Sequence, residues 1–226
     1  MKVYTEYQPI IELKTNKIMG YEALLRGSEL PPEELFQLYA QQERLVDLDI
    51  TAMKLAIDNF VYSEGYKLFL NCHPETFVSE KLLHLIQDQH SYVIENIVLE
   101  ITERAILNPK LARDNAKKFK KMGMVLAIDD FGQGQSYFHN IEILEPNIIK
   151  LDKSLIANIC NNEKSKYMII GLQEMANKIE AKLIAEGIET REVANVVKSC
   201  GIECGQGWFF GRPERFIHRE RKEAIL

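Results

Sequence analysis

The 226-residue sequence is poor in cysteine, carries no excess of basic charge and has no long hydrophobic run. Its cysteines are Cys72, Cys160, Cys200 and Cys204, and no pair forms CxxC. That excludes a CxxC redox motif and leaves free, buried thiols in a reducing compartment as the expectation. No stretch reaches the ~18 apolar residues needed to span a bilayer. The N-terminal segment MKVYTEYQPI lacks the apolar core and cleavage site of a signal peptide. Both absences point to the cytoplasm and away from a membrane. With 28 Lys and Arg against 33 Asp and Glu, the net charge is −5, which argues against a broad surface for polymeric nucleic acid. The histidines His73, His84, His90, His139 and His218 form no HExxH and no His-Asp doublet, so a zinc hydrolase or HD-type centre is disfavoured. No Gly/Ser linker, low-complexity stretch or 20–50-residue repeat divides the chain, so residues 1–226 read as a single domain.

What is present is a globular composition, 46% hydrophobic and 27% charged. Short apolar runs, often β-branched or aromatic, occupy 3–10, 18–25, 66–70, 96–101, 124–128, 148–151, 182–185 and 208–210. Between them lie helix-like stretches at 32–40, 45–60, 81–89, 109–122, 164–178 and 190–199. Pro32 with Glu33 and Glu34 marks a helix start, and Gly123 after the basic run 117–121 marks a stop. Strand–helix alternation implies a largely parallel sheet, and eight strands imply a (β/α)8 barrel of the α/β class. About seven residues join the first two runs, too few for a helical crossover, so an antiparallel hairpin is expected there.

Polar groups fall at or just beyond the end of run after run. They are Glu22, Asn71, Glu100 with Glu103, the pair Asp129 and Asp130, Lys150 with Asp152, Glu186 with Glu189, and Gln206. A single Glu at a strand end is ordinarily a solvated loop residue, and a lone Asp-Asp is ordinarily a turn or cap. Six successive runs ending this way are another matter, because parallel strand ends converge on one mouth. Two carboxylates ~4 Å apart repel by roughly 4 kcal/mol at an effective dielectric near 20. Five such groups therefore need protons or cations, and an oxygen-rich set with one amide suits hard divalent ions. Asp129 and Asp130 can serve two ions, with Lys150 orienting water or offsetting phosphate charge. The chemistry indicated is metal-dependent phosphodiester hydrolysis.

These residues also carry a family likeness. Tyr21-Glu22-Ala23-Leu24-Leu25-Arg26 resembles the signature of the EAL domain, the cyclic di-GMP phosphodiesterase family. Further blocks match in order: Tyr7-Gln8-Pro9-Ile10, Leu70-Asn71, Leu99-Glu100-Ile101-Thr102-Glu103, Ile128-Asp129-Asp130-Phe131-Gly132, Ile149-Lys150-Leu151-Asp152, Ala185-Glu186-Gly187-Ile188-Glu189-Thr190 and Gly205-Gln206-Gly207. The likeness runs over about 3–213, leaving 214–226 as a tail. It implies a modified TIM barrel with an antiparallel first hairpin, and hydrolysis of cyclic di-GMP to linear pGpG with Mg²⁺ or Mn²⁺, two ions per site. Carried over residue by residue, Glu22, Asn71, Glu100 and Asp129 would hold one ion; Asp129, Asp130 and Glu186 would hold the other. Glu186 and Lys150 would be catalytic, Lys150 contacting the nucleophilic water. Gln8, Leu25, Arg26 and Gln206 would meet the substrate or organise its pocket, and Glu103, Asp152 and Glu189 would support. A homodimer and an unidentified regulatory partner are also implied.

The chain departs from the family's usual DDFGTGYSSL loop at Gln133 and Gln135, and Gly27 stands where many members carry Trp. The runner-up reading is accordingly a cyclic di-GMP-binding effector with weak or no hydrolysis. Trp208 and Phe209 are expected to pack the barrel, and the basic segment from Arg212 onward to form an exposed end.

Overall fold

Runs rich in Val, Ile, Leu and Phe pair as strands because such side chains suit a sheet covered on both faces. The computed structural model describes residues 2–60, 65–102, 105–133 and 138–216. Strands β1 (Val3–Glu12), β2 (Lys17–Gly27), β3 (Lys67–Cys72), β4 (Ile97–Thr102), β5 (Val125–Phe131), β6 (Ile148–Leu151), β7 (Lys182–Ala185) and β8 (Cys204–Gln206) close into a barrel in chain order. Neighbours from β2 to β8 are parallel, whereas β1 is antiparallel to both β2 and β8. The expected hairpin and mixed barrel are both present.

The eighth strand is a correction. It was expected at 208–210 and lies at Cys204–Gln206. Cys-Gly-Gln carries little apolar signal, whereas the Trp-Phe-Phe that follows carries a great deal. That aromatic run is a tight turn in which the Phe210 and Gly211 amides both donate to the Gly207 carbonyl, at 3.0 and 3.2 Å. A Cβ on Gly207 would fall 2.1 Å from the Ile188 carbonyl oxygen, so only glycine lets the turn lie this close to the chain after β7.

The helices are α1 (Pro32–Gln41), α2 (Leu45–Asn59), α3 (Pro74–Phe77), α4 (Glu80–Gln87), α5 (Ser91–Ile94), α6 (Pro109–Lys121), α7 (Phe138–Leu144), α8 (Lys153–Ile156), α9 (Glu163–Lys178) and α10 (Arg191–Ser199). The longer ones match the expected stretches. The four-residue α3, α5 and α8 and the seven-residue α7 were not anticipated, because one or two turns leave no periodicity to read. Caps are local and legible: Ser79, Asn108, Asn162 and Thr190 each accept a hydrogen bond from an amide in the first turn of α4, α6, α9 and α10. Gly123 ends the α6 region at a φ of 95°.

Side-chain alternation builds the barrel interior in two layers. Ile10, Phe69, Val98, Ala127, Ile148, Ile184 and Cys204 form a buried apolar floor. Two residues further along each parallel strand stand Asn71, Glu100, Asp129, Lys150, Glu186 and Gln206. On the reversed β1 the same step runs backwards, from Ile10 to Gln8.

The chain after β8 turns back onto β1. Tyr7 and Glu214 exchange backbone hydrogen bonds of 2.8 and 3.1 Å, and Phe216 stacks on Tyr7 at 4.3 Å. The segment from Arg212 to Phe216 is largely exposed, as expected, and is also tied to the barrel; the remainder of the expected tail lies outside the described residues.

Behind the β3 end, buried Asp49 of α2 fixes the turn into α3. Its carboxylate accepts from the His73 amide at 2.9 Å and the Thr76 hydroxyl at 2.7 Å, and lies 3.0 Å from the His73 ring nitrogen Nδ1. Asp49→Ala leaves these buried groups without an acceptor. We expect a loss of about 2–4 kcal/mol in urea unfolding, with the midpoint falling at unchanged slope.

Candidate active site

The polar layer forms one cup at the C-terminal end of the parallel strands. Its centre is Lys150, fully buried on β6. The Lys150 Nζ lies 2.7 Å from Glu186 Oε1, 2.9 Å from Glu100 Oε1, 3.0 Å from Asp129 Oδ1 and 3.4 Å from Glu22 Oε2. Above them opens a cavity of ≈ 450 Å³ whose lining includes Gln8, Glu22, Asn71, Asp129, Asp130, Asp152, Glu186, Glu189 and Gln206.

Local structure explains how adjacent aspartates serve one site. Successive residues of a regular strand point to opposite faces. Asp130 instead adopts a left-handed φ of 54°, and the β5·β6 register shifts between Ile128 and Phe131. This irregularity turns both carboxylates toward the cavity, at a backbone cost of order 1–3 kcal/mol. Glu22 is held from two sides, accepting from Asn71 Nδ2 at 3.0 Å and from Gln206 Nε2 at 2.6 Å. Asp152 caps α8 through the Ser154 amide at 2.9 Å.

Some expected residues sit elsewhere. Leu25 points away from the cup and packs with Leu35 and Leu48, and Leu24 takes the cavity-facing place. The period-two rule from Glu22 predicts this parity. Arg26 lies beyond the lining and binds Glu6 at 2.8 Å and the Leu25 carbonyl at 3.1 Å. Glu103 and Gln135 lie outside the described residues. Gln133 borders the cavity, as does Lys153, which no sequence motif singles out. Trp208 corrects an expectation: it is 56% exposed and lines the cavity instead of packing the barrel, with the Arg212 guanidinium 4.3 Å from its ring centroid. Phe209 does pack against the core.

Five carboxylates face one ammonium, and their proton affinities spread apart. Burial pushes Glu100 well above the usual carboxylate value, with Glu22 and Asp129 repelling its charge. Burial likewise lifts Glu186 to about 8 and Asp130 to about 6, with Asp129 adding to both. Burial favours neutral Glu22 too, but the Lys150 charge and the hydrogen bonds from Asn71, Gln206 and Lys150 outweigh it and hold Glu22 low. Lys150 is driven well upward, because the surrounding carboxylates outweigh the penalty of burying its charge.

The donor set suits cations. Glu22, Glu100 and Asp129 each offer an oxygen within 4.8 Å of the others, and so do Asp129, Asp130 and Glu186. Asp129 belongs to both groups. Glu100 Oε2 is buried without a hydrogen-bond partner among the described residues, an arrangement a divalent ion would resolve.

A pH dependence follows. A carboxylate whose folded pKa is raised binds more protons folded than unfolded, so stability falls as pH rises between the two values. For Glu186 that window runs from 4.5 to about 8, and for Asp130 from 3.8 to about 6. Depressed Glu22 and elevated Lys150 titrate outside it. The metal-free protein should therefore lose melting temperature from about pH 5 to pH 8, and a divalent ion should stabilise it more as pH rises, since it displaces protons. Differential scanning calorimetry with and without Mn²⁺ reads both, and Glu186→Gln should flatten the slope.

Comparison with known proteins supplies the last observation. The EAL-domain family model matches residues 1–213. Probable cyclic di-GMP phosphodiesterase PdeB of Escherichia coli strain K12 is 31% identical over 228 residues, spanning 93% of this chain and 42% of PdeB. Cyclic di-GMP phosphodiesterase PdeA of Borreliella burgdorferi is 29% identical over 221 residues, spanning 92% of this chain and 33% of PdeA. The chain thus spans less than half the length of these relatives. The calcium and cyclic di-GMP complex of Klebsiella pneumoniae BlrP1 superposes with a TM-score of 0.84 at 25% identity, covering 95% of this chain and 56% of BlrP1. A manganese complex of the same protein gives the same TM-score. A standalone EAL protein from Vibrio cholerae, with cyclic di-GMP bound, gives 0.81 at 26% identity and covers 94% of this chain and 92% of its own. By its barrel, its carboxylate cup and these matches, the chain belongs to the EAL-domain family.

Proposed function

We propose that the chain hydrolyses cyclic di-GMP to linear pGpG, with two Mg²⁺ or Mn²⁺ ions held by Glu22, Asn71, Glu100, Asp129, Asp130 and Glu186. The observation that carries this reading is the carboxylate excess around buried Lys150, with Glu100 Oε2 left unpartnered among the described residues. Bound there, the ions would lower the pKa of water and offset charge on the phosphoryl oxygens.

The chain's own groups divide the remaining work. Glu186, at the edge of the cavity, is placed to accept a proton from the attacking water. Lys150, kept charged by its neighbours, orients Glu186 across 2.7 Å and places positive charge under the scissile phosphate. Arg26 has two donors committed to Glu6 and the Leu25 carbonyl, which fixes its fork and leaves other N–H groups for a phosphate oxygen. Gln8 and Gln206 organise the pocket wall through their mutual hydrogen bond, while Trp208 offers a rim-side aromatic face to a guanine base. The cavity matches ligand pockets of roughly 300–1,000 Å³ in size.

The direct test is incubation of the purified chain with cyclic di-GMP and Mg²⁺ or Mn²⁺, followed by chromatography for pGpG. Turnover is expected with at least one ion, and Glu186→Gln should lower kcat by about 10²–10⁴-fold in protein whose circular dichroism shows it still folded. Nucleotide binding without product, in folded and metal-loaded protein, would identify an effector instead. Because Trp208 is the sole tryptophan, cyclic di-GMP binding in Ca²⁺ should quench intrinsic fluorescence, and Trp208→Phe should abolish that signal.

A further inference from the structure

β8 pairs with β1 only where Ile10, Ile11 and Glu12 face Gln206, Gly205 and Cys204. Nearer the mouth, the β1 edge is met instead by residues 211–216. Glu214 bridges Tyr7, and Phe216 sits in an aromatic box, stacked on Tyr7 at 4.3 Å, edge-on to Tyr21 at 5.0 Å and tilted against Phe60 at 5.8 Å. Arg215 lies over the Tyr4 ring at 3.4 Å. Gly211 approaches Pro9 so closely that a Cβ would stand 2.8 Å from the ring.

This strap joins a hydrogen-bond ladder that ends at the carboxylate cup. Gln8 Nε2 donates to the Gly211 carbonyl at 3.0 Å. Gln206 Nε2 donates to Gln8 Oε1 at 3.0 Å and to Glu22 Oε2 at 2.6 Å. The ladder has a polarity. A backbone carbonyl only accepts, so Gly211 turns the NH₂ of Gln8 toward the strap and its oxygen toward Gln206. That oxygen in turn draws the NH₂ of Gln206 between Gln8 and Glu22. Remove the Gly211 carbonyl and Gln8 is free to rotate; Gln206 then loses the Gln8 oxygen as its second anchor and is held by Glu22 alone, so neither side chain keeps a fixed place.

We propose that residues 211–216 are a positioning strap: docked Phe216 holds the Gly211 carbonyl on Gln8, and through Gln8 and Gln206 keeps Glu22 aimed into the cation site. The proposal rests on the reading of Glu22 as a metal ligand. Groups that act on a ligand from behind commonly change metal affinity or activity by about 10–100-fold.

Mn²⁺ titration by calorimetry, without nucleotide and well below the melting temperature, tests the strap. Phe216→Ala should weaken Mn²⁺ binding by about 10-fold, and Phe216→Tyr should restore it. Gly211→Ala, which pushes the strap off Pro9 while keeping Phe216, should weaken binding in the same direction and decides the matter if Phe216→Ala does not fold. Variants that melt earlier but bind Mn²⁺ like the native chain overturn the proposal, since the strap would then be structural only. A native chain that binds no Mn²⁺ overturns the metal reading and the strap with it, so the two failures are distinguishable.

Discussion

A single buried ammonium holds the polar interior together. Lys150 stands within 3.4 Å of carboxylates from β2, β4, β5 and β7, and each of those groups alone would be costly to bury. An ammonium carries three protons and cannot satisfy four partners at once. Among the described residues Glu100 is left with an unpartnered oxygen, while Glu186 and Asp130 hold protons more tightly than usual. The lysine makes the cluster foldable without saturating it, and the shortfall is what a divalent ion can fill.

The barrel converts sequence spacing into that geometry by one rule. An apolar floor residue is followed two positions later by a polar one, and parallel pairing brings those polar residues to a common level. Two exceptions are informative. On antiparallel β1 the polar residue precedes the apolar one, so Gln8 reaches the mouth from a strand running the other way. On β5 the left-handed Asp130 breaks alternation, and a second carboxylate joins the first. The strained Asp130 lies at the cup, where function is built.

This rule also decides what could be read from the sequence. Glu22, Asn71, Glu100, Asp129, Lys150 and Glu186 were legible because strand, hydrophobic content and polar end coincide in short segments. The hairpin was legible because a short connection cannot cross a barrel. The eighth strand was not, since its burial comes from neighbours and its own residues are Cys, Gly and Gln. Trp208 misleads in the opposite sense: a large ring suggests core, although its turn is set by Gly207 against Ile188 and leaves the ring at the rim. Leu25 was misplaced by one step of strand parity. The docking of Phe216 on Tyr7 was invisible because nothing local links residues so distant in the chain.

The surplus of negative charge in the cup has a thermodynamic corollary. An anionic diester entering a bare cavity would meet carboxylates that repel it; entering a loaded one, it would meet compensated charge. On the proposed function, ion and diester would be coupled ligands, and the coupling would be reciprocal: whatever factor the ions added to nucleotide affinity, the nucleotide would return to ion affinity. Scarcity of cations would act as a brake on occupancy itself, before any bond is broken.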